Sequence, residues 1–484
     1  MRTTALPVAG LLGLALLAPA SWAAPATAAV ETCRGEAATL VGTEARLTGT
    51  EGRDVIVTAR AGVVDSLGGD DLVCVAPTRV SSNVLVIDAG SGDDVVDTTA
   101  TPGGTYVTTT LGAGSDAFIG GIASDTVYAG EKADPQTDIE RDSLDTGGSG
   151  DYVFTGSPGS TNHDVVRLGE GRDQVHVGSP AVGGDFVLDG GGGFDGIGLQ
   201  SGSTDVVLDM AAGTFTGPAG TAAFTGIESA DITAGTASVT YRGTEGKDSL
   251  EIRPEGGTPT LDVTTGGGDD EVAVPDAAIA AGSRIDTGAG RDELVVASKT
   301  GELAIDLTRR LLTVQGVEAT ATGVEDAWLM APTVALTGDS GDNDLTWSGC
   351  DATLSGGAGN DGLQWNYDYL FETYEFRCAG EVSMNGGDGR DFLRSSGGDD
   401  LLIGGRGHDK VFGRGGDDTI RGGTGNDKLD GGEGRDDIRG GKGKDRLIGR
   451  ADNDTLLGGP GRDTADGGQG RDRCVAEREQ RCER

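Results

Sequence analysis

Residues 386–475 read GGDGRDFLR, SSGGDDLLI, GGRGHDKVF, GRGGDDTIR, GGTGNDKLD, GGEGRDDIR, GGKGKDRLI, GRADNDTLL, GGPGRDTAD and GGQGRDRCV, ten contiguous nine-residue blocks from Gly386 to Val475. The sixth position is Asp in all ten: Asp391, Asp400, Asp409, Asp418, Asp427, Asp436, Asp445, Asp454, Asp463 and Asp472. The eighth is apolar from Leu393 to Leu456, then Ala465 and Cys474. A fixed period of this kind marks a repeat architecture. Glycine pairs turn the chain tightly, often at positive φ, and leave carbonyls exposed. One apolar residue in nine makes a core only if successive short strands stack in register, so the blocks must coil on each other.

An Asp fixed beside each turn sets a hard carboxylate next to hard carbonyl oxygens, a donor set that suits Ca²⁺ over softer metals. A single turn Asp commonly satisfies its own backbone; ten in phase predict metal binding. The blocks resemble the GGxGxDxUx nonapeptides of the haemolysin-type RTX calcium-binding repeat proteins. That resemblance implies a parallel β-roll with two blocks per turn, Ca²⁺ sitting between turns on the Asp side chains and loop carbonyls of blocks n and n+2. Asp391 then shares a site with Asp409, Asp400 with Asp418, and so on to Asp454 with Asp472, up to eight sites in all. The pattern is broken where Ser395-Ser396 replaces the glycine pair, and where Arg450 and Asp452 replace two glycines.

The preceding chain carries a looser form. GxxGxD-like turns end at Asp54, Asp71, Asp94, Asp116, Asp151, Asp173, Asp195, Asp248, Asp270, Asp292 and Asp361, with a recurring spacing of 22, as in Asp94 to Asp116 or Asp151 to Asp173 to Asp195. Between them lie alternating apolar segments such as Asn83–Ile87, which read as short strands. A right-handed parallel β-helix of 22-residue rungs is expected over residues 30–364, followed by the β-roll over 386–475, in an all-β chain. Asp94, Asp116, Asp173, Asp270, Asp292 and Asp361 are further candidate metal ligands. A duplication overlies the rungs at an offset of 97: Asp151, Asp173 and Asp195 recur at Asp248, Asp270 and Asp292, and TGIE (Thr225–Glu228) recurs as TGVE (Thr322–Glu325). Residues 365–385 interrupt the pattern with Trp365, Tyr367, Tyr369, Phe371, Tyr374 and Phe376. They read as a cap or linker, with a sugar-stacking platform as the rival reading.

Of the 484 residues, 38 are Lys or Arg and 78 Asp or Glu, a formal net charge of −40. Nucleic acid and anionic membrane are excluded as partners, since binding there rests on Lys and Arg, and cations are favoured. The nonapeptide blocks, with sixteen basic and eighteen acidic residues, do not carry that excess; it belongs to the chain before them. Residues 1–29 read as a secretory signal peptide, with Arg2, an apolar Val8–Ala18 and a small-residue cleavage site at Ser21-Trp22-Ala23 or Thr27-Ala28-Ala29. A secreted protein without a membrane span in its mature form is expected. Export suits six Cys in three sequence-local pairs: Cys33 with Cys74, Cys350 with Cys378, and Cys474 with Cys482, the last tying the tail 476–484.

No HExxH and no GxSxG motif occurs, and GDSG at Gly338–Gly341 falls where a repeat turn is due. A secreted calcium-binding protein with a structural or adhesive role is the leading expectation, with cell-surface or matrix polysaccharide as a candidate partner. The alternative is a Ca²⁺-dependent β-helix polysaccharide lyase or epimerase, in which the ion neutralises a uronate while a base takes the proton.

Overall fold

Segments such as Tyr106–Thr110 (YVTTT) alternate outward polar and inward buried residues, the period of a strand with one face on a core. In the computed structural model, which describes residues 31–76, 83–130, 140–156, 161–178, 185–275, 278–366 and 380–483, such segments stack into a parallel β-solenoid of about 17 turns with no helix. The expected signal peptide lies outside the described residues.

Two long parallel sheets run the length of the solenoid. In the front part Val84–Asp88 pairs with Tyr106–Thr110 at an offset of 22, and Gln174–Val177 pairs with Gly196–Leu199 at the same offset. A rung of 18 occurs already at Tyr106 opposite Ser124, and from Asp326 opposite Asp344 onward 18 is the usual step, as from Lys410 through Lys428 and Arg446 to Thr464. The step from Gly362 to Phe392 is longer, because it contains the aromatic segment. Most of that segment, with Tyr367, Tyr369, Phe371, Tyr374, Phe376 and Cys378, lies outside the described residues; on either side of it the strands stack in register.

The duplication has a structural meaning that its spacing did not disclose. Each copy contains an antiparallel excursion from one sheet: Val206–Asp209, Thr214–Gly217 and Gly220–Thr225 in the first, and Glu302–Asp306, Leu311–Val314 and Val317–Thr322 in the second. These excursions lengthen the two rungs concerned, so 22 is not the period throughout.

Two facing columns of aliphatic residues, one from each sheet, fill the roll. Leu402, Val411, Ile420, Leu429, Ile438, Leu447, Leu456 and Ala465 are all at most 1% exposed. Burying one such side chain stabilises by about 1.5–3 kcal/mol, and each belongs to a different nonapeptide, so no block is stable alone. The front carries a wider core that includes Phe118, Phe215, Tyr241 and Trp347. Disulfides close both ends, Cys33–Cys74 with a Cα separation of 5.5 Å and Cys474–Cys482 with 5.8 Å. Cys350 is also disulfide-bonded.

Candidate metal-binding turns

The Gly-rich turns bring every motif Asp to an inward position at the end of a strand, where the stacking of rungs sets the carboxylates above one another. All ten roll Asp are at most 3% exposed. They form two columns. In one, Oδ1 of each Asp accepts the backbone N–H of the Asp a rung earlier: Asp361 donates to Asp391, Asp391 to Asp409, Asp409 to Asp427, Asp427 to Asp445 and Asp445 to Asp463, all at 2.9–3.0 Å. In the other, Val382 donates to Asp400, then Asp400 to Asp418, Asp418 to Asp436, Asp436 to Asp454 and Asp454 to Asp472. The expected n and n+2 partners are therefore adjacent members of one column.

Oδ1 is thus used, and Oδ2 is not. In all ten roll Asp the Oδ2 atom is buried and has no hydrogen-bond partner. Such a group costs roughly 1–3 kcal/mol, more if charged. What faces it, in nine of the ten, is a glycine five residues earlier. A methyl group on Gly404 would lie 2.6 Å from Asp409 Oδ2 and 2.7 Å from the Gly422 carbonyl oxygen; on Gly422 it would lie 2.5 Å from both Asp427 Oδ2 and the Gly440 carbonyl oxygen. The missing Cβ leaves a cradle between a carboxylate and a carbonyl of the next rung. The next glycine of the turn, Gly405, holds φ at +115°, a conformation that only glycine adopts without strain.

Burial raises the carboxyl pKa values, and neighbouring carboxylates add to the effect. Asp418 is pushed up to about 8, by desolvation first and by Asp400 and Asp436 among others. Asp391, Asp427, Asp436 and Asp454 are pushed to about 7, again by burial first. A column of this kind needs protons or cations. Among the described residues no three His, Cys, Asp or Glu side chains converge as a metal cluster, so a cation in a turn draws on carbonyl oxygens beside paired Asp. That is a hard, all-oxygen donor set, and the residues present fit Ca²⁺.

The front part repeats the column and changes the cradle. Asp54, Asp71, Asp94, Asp116, Asp142 and Asp164 form one N–H to Oδ1 column. Asp125, Asp151, Asp173 and Asp195 form a second, and Asp248, Asp270 and Asp292 a third. Five residues before several of these Asp, however, side chains now stand in the cradle: Ala89 before Asp94, Leu111 before Asp116, Leu168 before Asp173, Thr265 before Asp270 and Thr287 before Asp292, while Gly49, Gly120, Gly190 and Gly243 stand before Asp54, Asp125, Asp195 and Asp248. Thr146 and Thr265 donate their hydroxyls to the carbonyls of Leu168 and Thr287, each at 2.7 Å, so they occupy the carbonyl that a cation would use. Ser395 does the same to Gly413 within the roll. Asp361 keeps an open turn: a Cβ on Gly356 would lie 2.4 Å from its Oδ2. At Asp54 and Asp248 the second oxygen is already taken by the N–H groups and hydroxyls of Thr50 and Thr244.

Sequence reasoning passed over several members. Asp125 stands nine residues after Asp116 in GGIASD, a nonapeptide spacing that was readable. Both its carboxylate oxygens are buried without a partner, and burial pushes its pKa to about 8. Asp142 has no local glycine signal, and Asp164, in GSPGSTNHD, lacks the GxxGxD turn. The column ends were missed too: the N–H groups of Asp195, Asp292 and Asp463 are accepted by Oε2 of Glu228, Glu325 and Glu477 at 2.8, 2.9 and 2.7 Å. Glu228 and Glu325 are the final residues of the duplicated TGIE and TGVE, which gives that duplication its role.

No curated protein matches the chain. The family model of the RTX calcium-binding nonapeptide repeat matches in four copies, over residues 110–134, 383–411, 412–447 and 440–474. Three copies cover the roll, and the fourth covers Asp116 and Asp125. With its solenoid fold and its columns of turn carboxylates, the chain carries RTX calcium-binding nonapeptide repeats.

Proposed function

We propose that the chain is a secreted structural or adhesive protein whose roll folds on Ca²⁺ outside the cell. One observation carries this reading: in every nonapeptide turn, one Asp oxygen is fixed by the neighbouring rung while the other is buried, unpartnered and, in nine turns, faces a glycine cradle. Residues Asp391, Asp409, Asp418, Asp427, Asp436, Asp445, Asp454, Asp463 and Asp472 would hold the ions together with loop carbonyls, and bound Ca²⁺ would supply the positive charge that these columns lack. Asp400, with Ser395 in its cradle, is a weaker member.

In the front part the same criterion selects Asp125, Asp195 and Asp361, which have Gly120, Gly190 and Gly356 five residues earlier and keep an unpartnered Oδ2. Asp94, Asp116, Asp173, Asp270 and Asp292 have filled cradles and stay metal-free. Disulfides at both ends of the solenoid suit an oxidising compartment. A protein recovered from culture medium with its first residue at Ala24 or Val30 is the expected mature form.

Calorimetric titration of the full chain with Ca²⁺, alongside circular dichroism, tests the proposal. Several ions per chain and a gain of β signal on binding are expected. Asp409→Asn keeps the acceptor for the Asp391 N–H and removes the charge, so it lowers the stoichiometry. No binding heat, together with a β spectrum indifferent to chelator, would falsify the reading.

A further inference from the structure

The outer face of one long sheet carries a column of side chains that can be followed rung by rung through the register. Glu271 lies opposite Glu293, Glu293 opposite Asp326, Asp326 opposite Asp344 and Asp344 opposite Gly362. The column continues from Gly362 to Phe392, Lys410, Lys428 and Arg446. Rungs are about 4.8 Å apart. Four acids therefore stand in consecutive rungs, then two uncharged residues, then three bases in consecutive rungs.

Like charges directly opposite each other disfavour strand pairing, so each run is a strain on the isolated chain. The neighbouring column does not relieve the basic run, because its acids are engaged elsewhere: Asp430 pairs with Arg450 and Asp466 with Arg481. Lys410, Lys428 and Arg446 are exposed, and among the described residues they form no ion pair. In the acidic run only Asp326 has a basic partner among the described residues, Arg291.

We propose that this face docks a second copy of the chain, antiparallel, about a two-fold axis through the Gly362 rung. About that rung three of the four acids fall opposite bases, and Asp344 falls opposite Phe392. A two-fold rotation sets Glu271 against the partner's Arg446, Glu293 against the partner's Lys428, and Asp326 against the partner's Lys410, and repeats each pair by symmetry. Such a contact is isologous and closes as a dimer. A polyanion would satisfy the bases and leave the acids facing one another; a cation would do the reverse. A partner must present both runs, in reversed order and at the same spacing, and the chain itself does so. Gly362 at the axis has no side chain to hold the faces apart. The docking does not depend on which turns hold Ca²⁺, only on a folded roll.

Sedimentation velocity of the full chain with Ca²⁺ present tests this at low and high salt. A dimer is expected at low salt, and its fraction falls as salt shortens the screening length to about 3 Å at 1 M. Lys428→Glu and Glu293→Lys each raise the dimer dissociation constant by about tenfold or more. The double variant, in which each reversed charge meets a reversed partner, recovers the wild-type value. Arg421→Glu, on the other sheet, leaves it unchanged. Circular dichroism of each variant identical to wild type keeps loss of folding out of the comparison. A monomer at every salt concentration, a dimer indifferent to Lys428→Glu, or a double variant that stays monomeric overturns the proposal, as does a polyanion-dependent complex in place of the dimer.

Discussion

The front solenoid and the roll share one backbone device and differ in one side chain. In both, a buried Asp accepts the N–H of the Asp a rung before it. In the roll the residue five positions earlier is glycine in nine of ten turns; in the front Ala89, Leu111, Leu168, Thr265 or Thr287 stands there in five turns, and glycine is kept before Asp125, Asp195 and Asp361. The front also has aromatic interior residues, among them Phe118 and Tyr241, where the roll has only one interior aliphatic residue per strand. A wide core with occupied cradles holds itself together. A narrow core with open cradles leaves its carboxylates to be neutralised from outside.

The largest expected effect comes from removing Ca²⁺. With chelator, hydrogen exchange in residues 386–475 rises to that of an unfolded chain while residues 84–330 keep their protection; equal loss in both regions would erase the contrast. Next is exchanging the cradle residue. Gly422→Thr forces a Cβ to within 2.5 Å of Asp427 Oδ2, and overpacking of this kind costs about 1–3 kcal/mol. A lower Ca²⁺ stoichiometry and a lower melting temperature are expected. Thr265→Gly in the front opens a cradle and adds Ca²⁺ binding there. An unchanged stoichiometry in both variants would mean that the cradle has no part in selecting turns.

A smaller effect is pH dependence without metal. In the front, the carboxyls of Asp94 and Asp125 lie at about 8 and that of Asp116 at about 7, against 3.8 for the ordinary group. The folded chain therefore binds more protons than the unfolded one between about pH 4 and pH 8, and its stability falls as pH rises through that window. Thermal unfolding in chelator should show a higher melting temperature at pH 5 than at pH 8.5. Saturating Ca²⁺ leaves the contribution of Asp94 and Asp116 in place. The smallest effect concerns Asp452, which holds φ at +73° in place of the usual turn glycine. Asp452→Gly is expected to stabilise the loaded roll by about 0.5–1 kcal/mol, read as a shift in denaturant midpoint.

The roll was legible because its information is local. Nine residues contain the turn, the carboxylate and the core residue, so the period yields strand stacking, and the two Asp columns follow from the two blocks per turn that the RTX resemblance implies. The 22-residue spacing similarly gave the front rungs. The antiparallel excursions were not legible, because Val206–Asp209 has the same alternation whether its neighbour is parallel or antiparallel. Asp142 was hidden for a related reason: its place in the column comes from stacking on Asp116 and Asp164, and no glycine turn around it announces that. The cradle was written in the sequence, five residues before each Asp, but its meaning depends on where the next rung's carbonyl falls.

The glutamates that end the columns set a rule for length. Glu477 receives the Asp463 N–H as Glu228 receives that of Asp195, so the terminus needs only a last Asp and its acceptor, however many rungs precede it. Each pair of nonapeptides adds one rung, about 4.8 Å, with no new kind of contact. Gaining or losing 18 residues in phase therefore changes the reach of the molecule and leaves its ends intact. The roll is in this sense a ruler, whose graduations can be added or removed by duplication or deletion of an eighteen-residue unit.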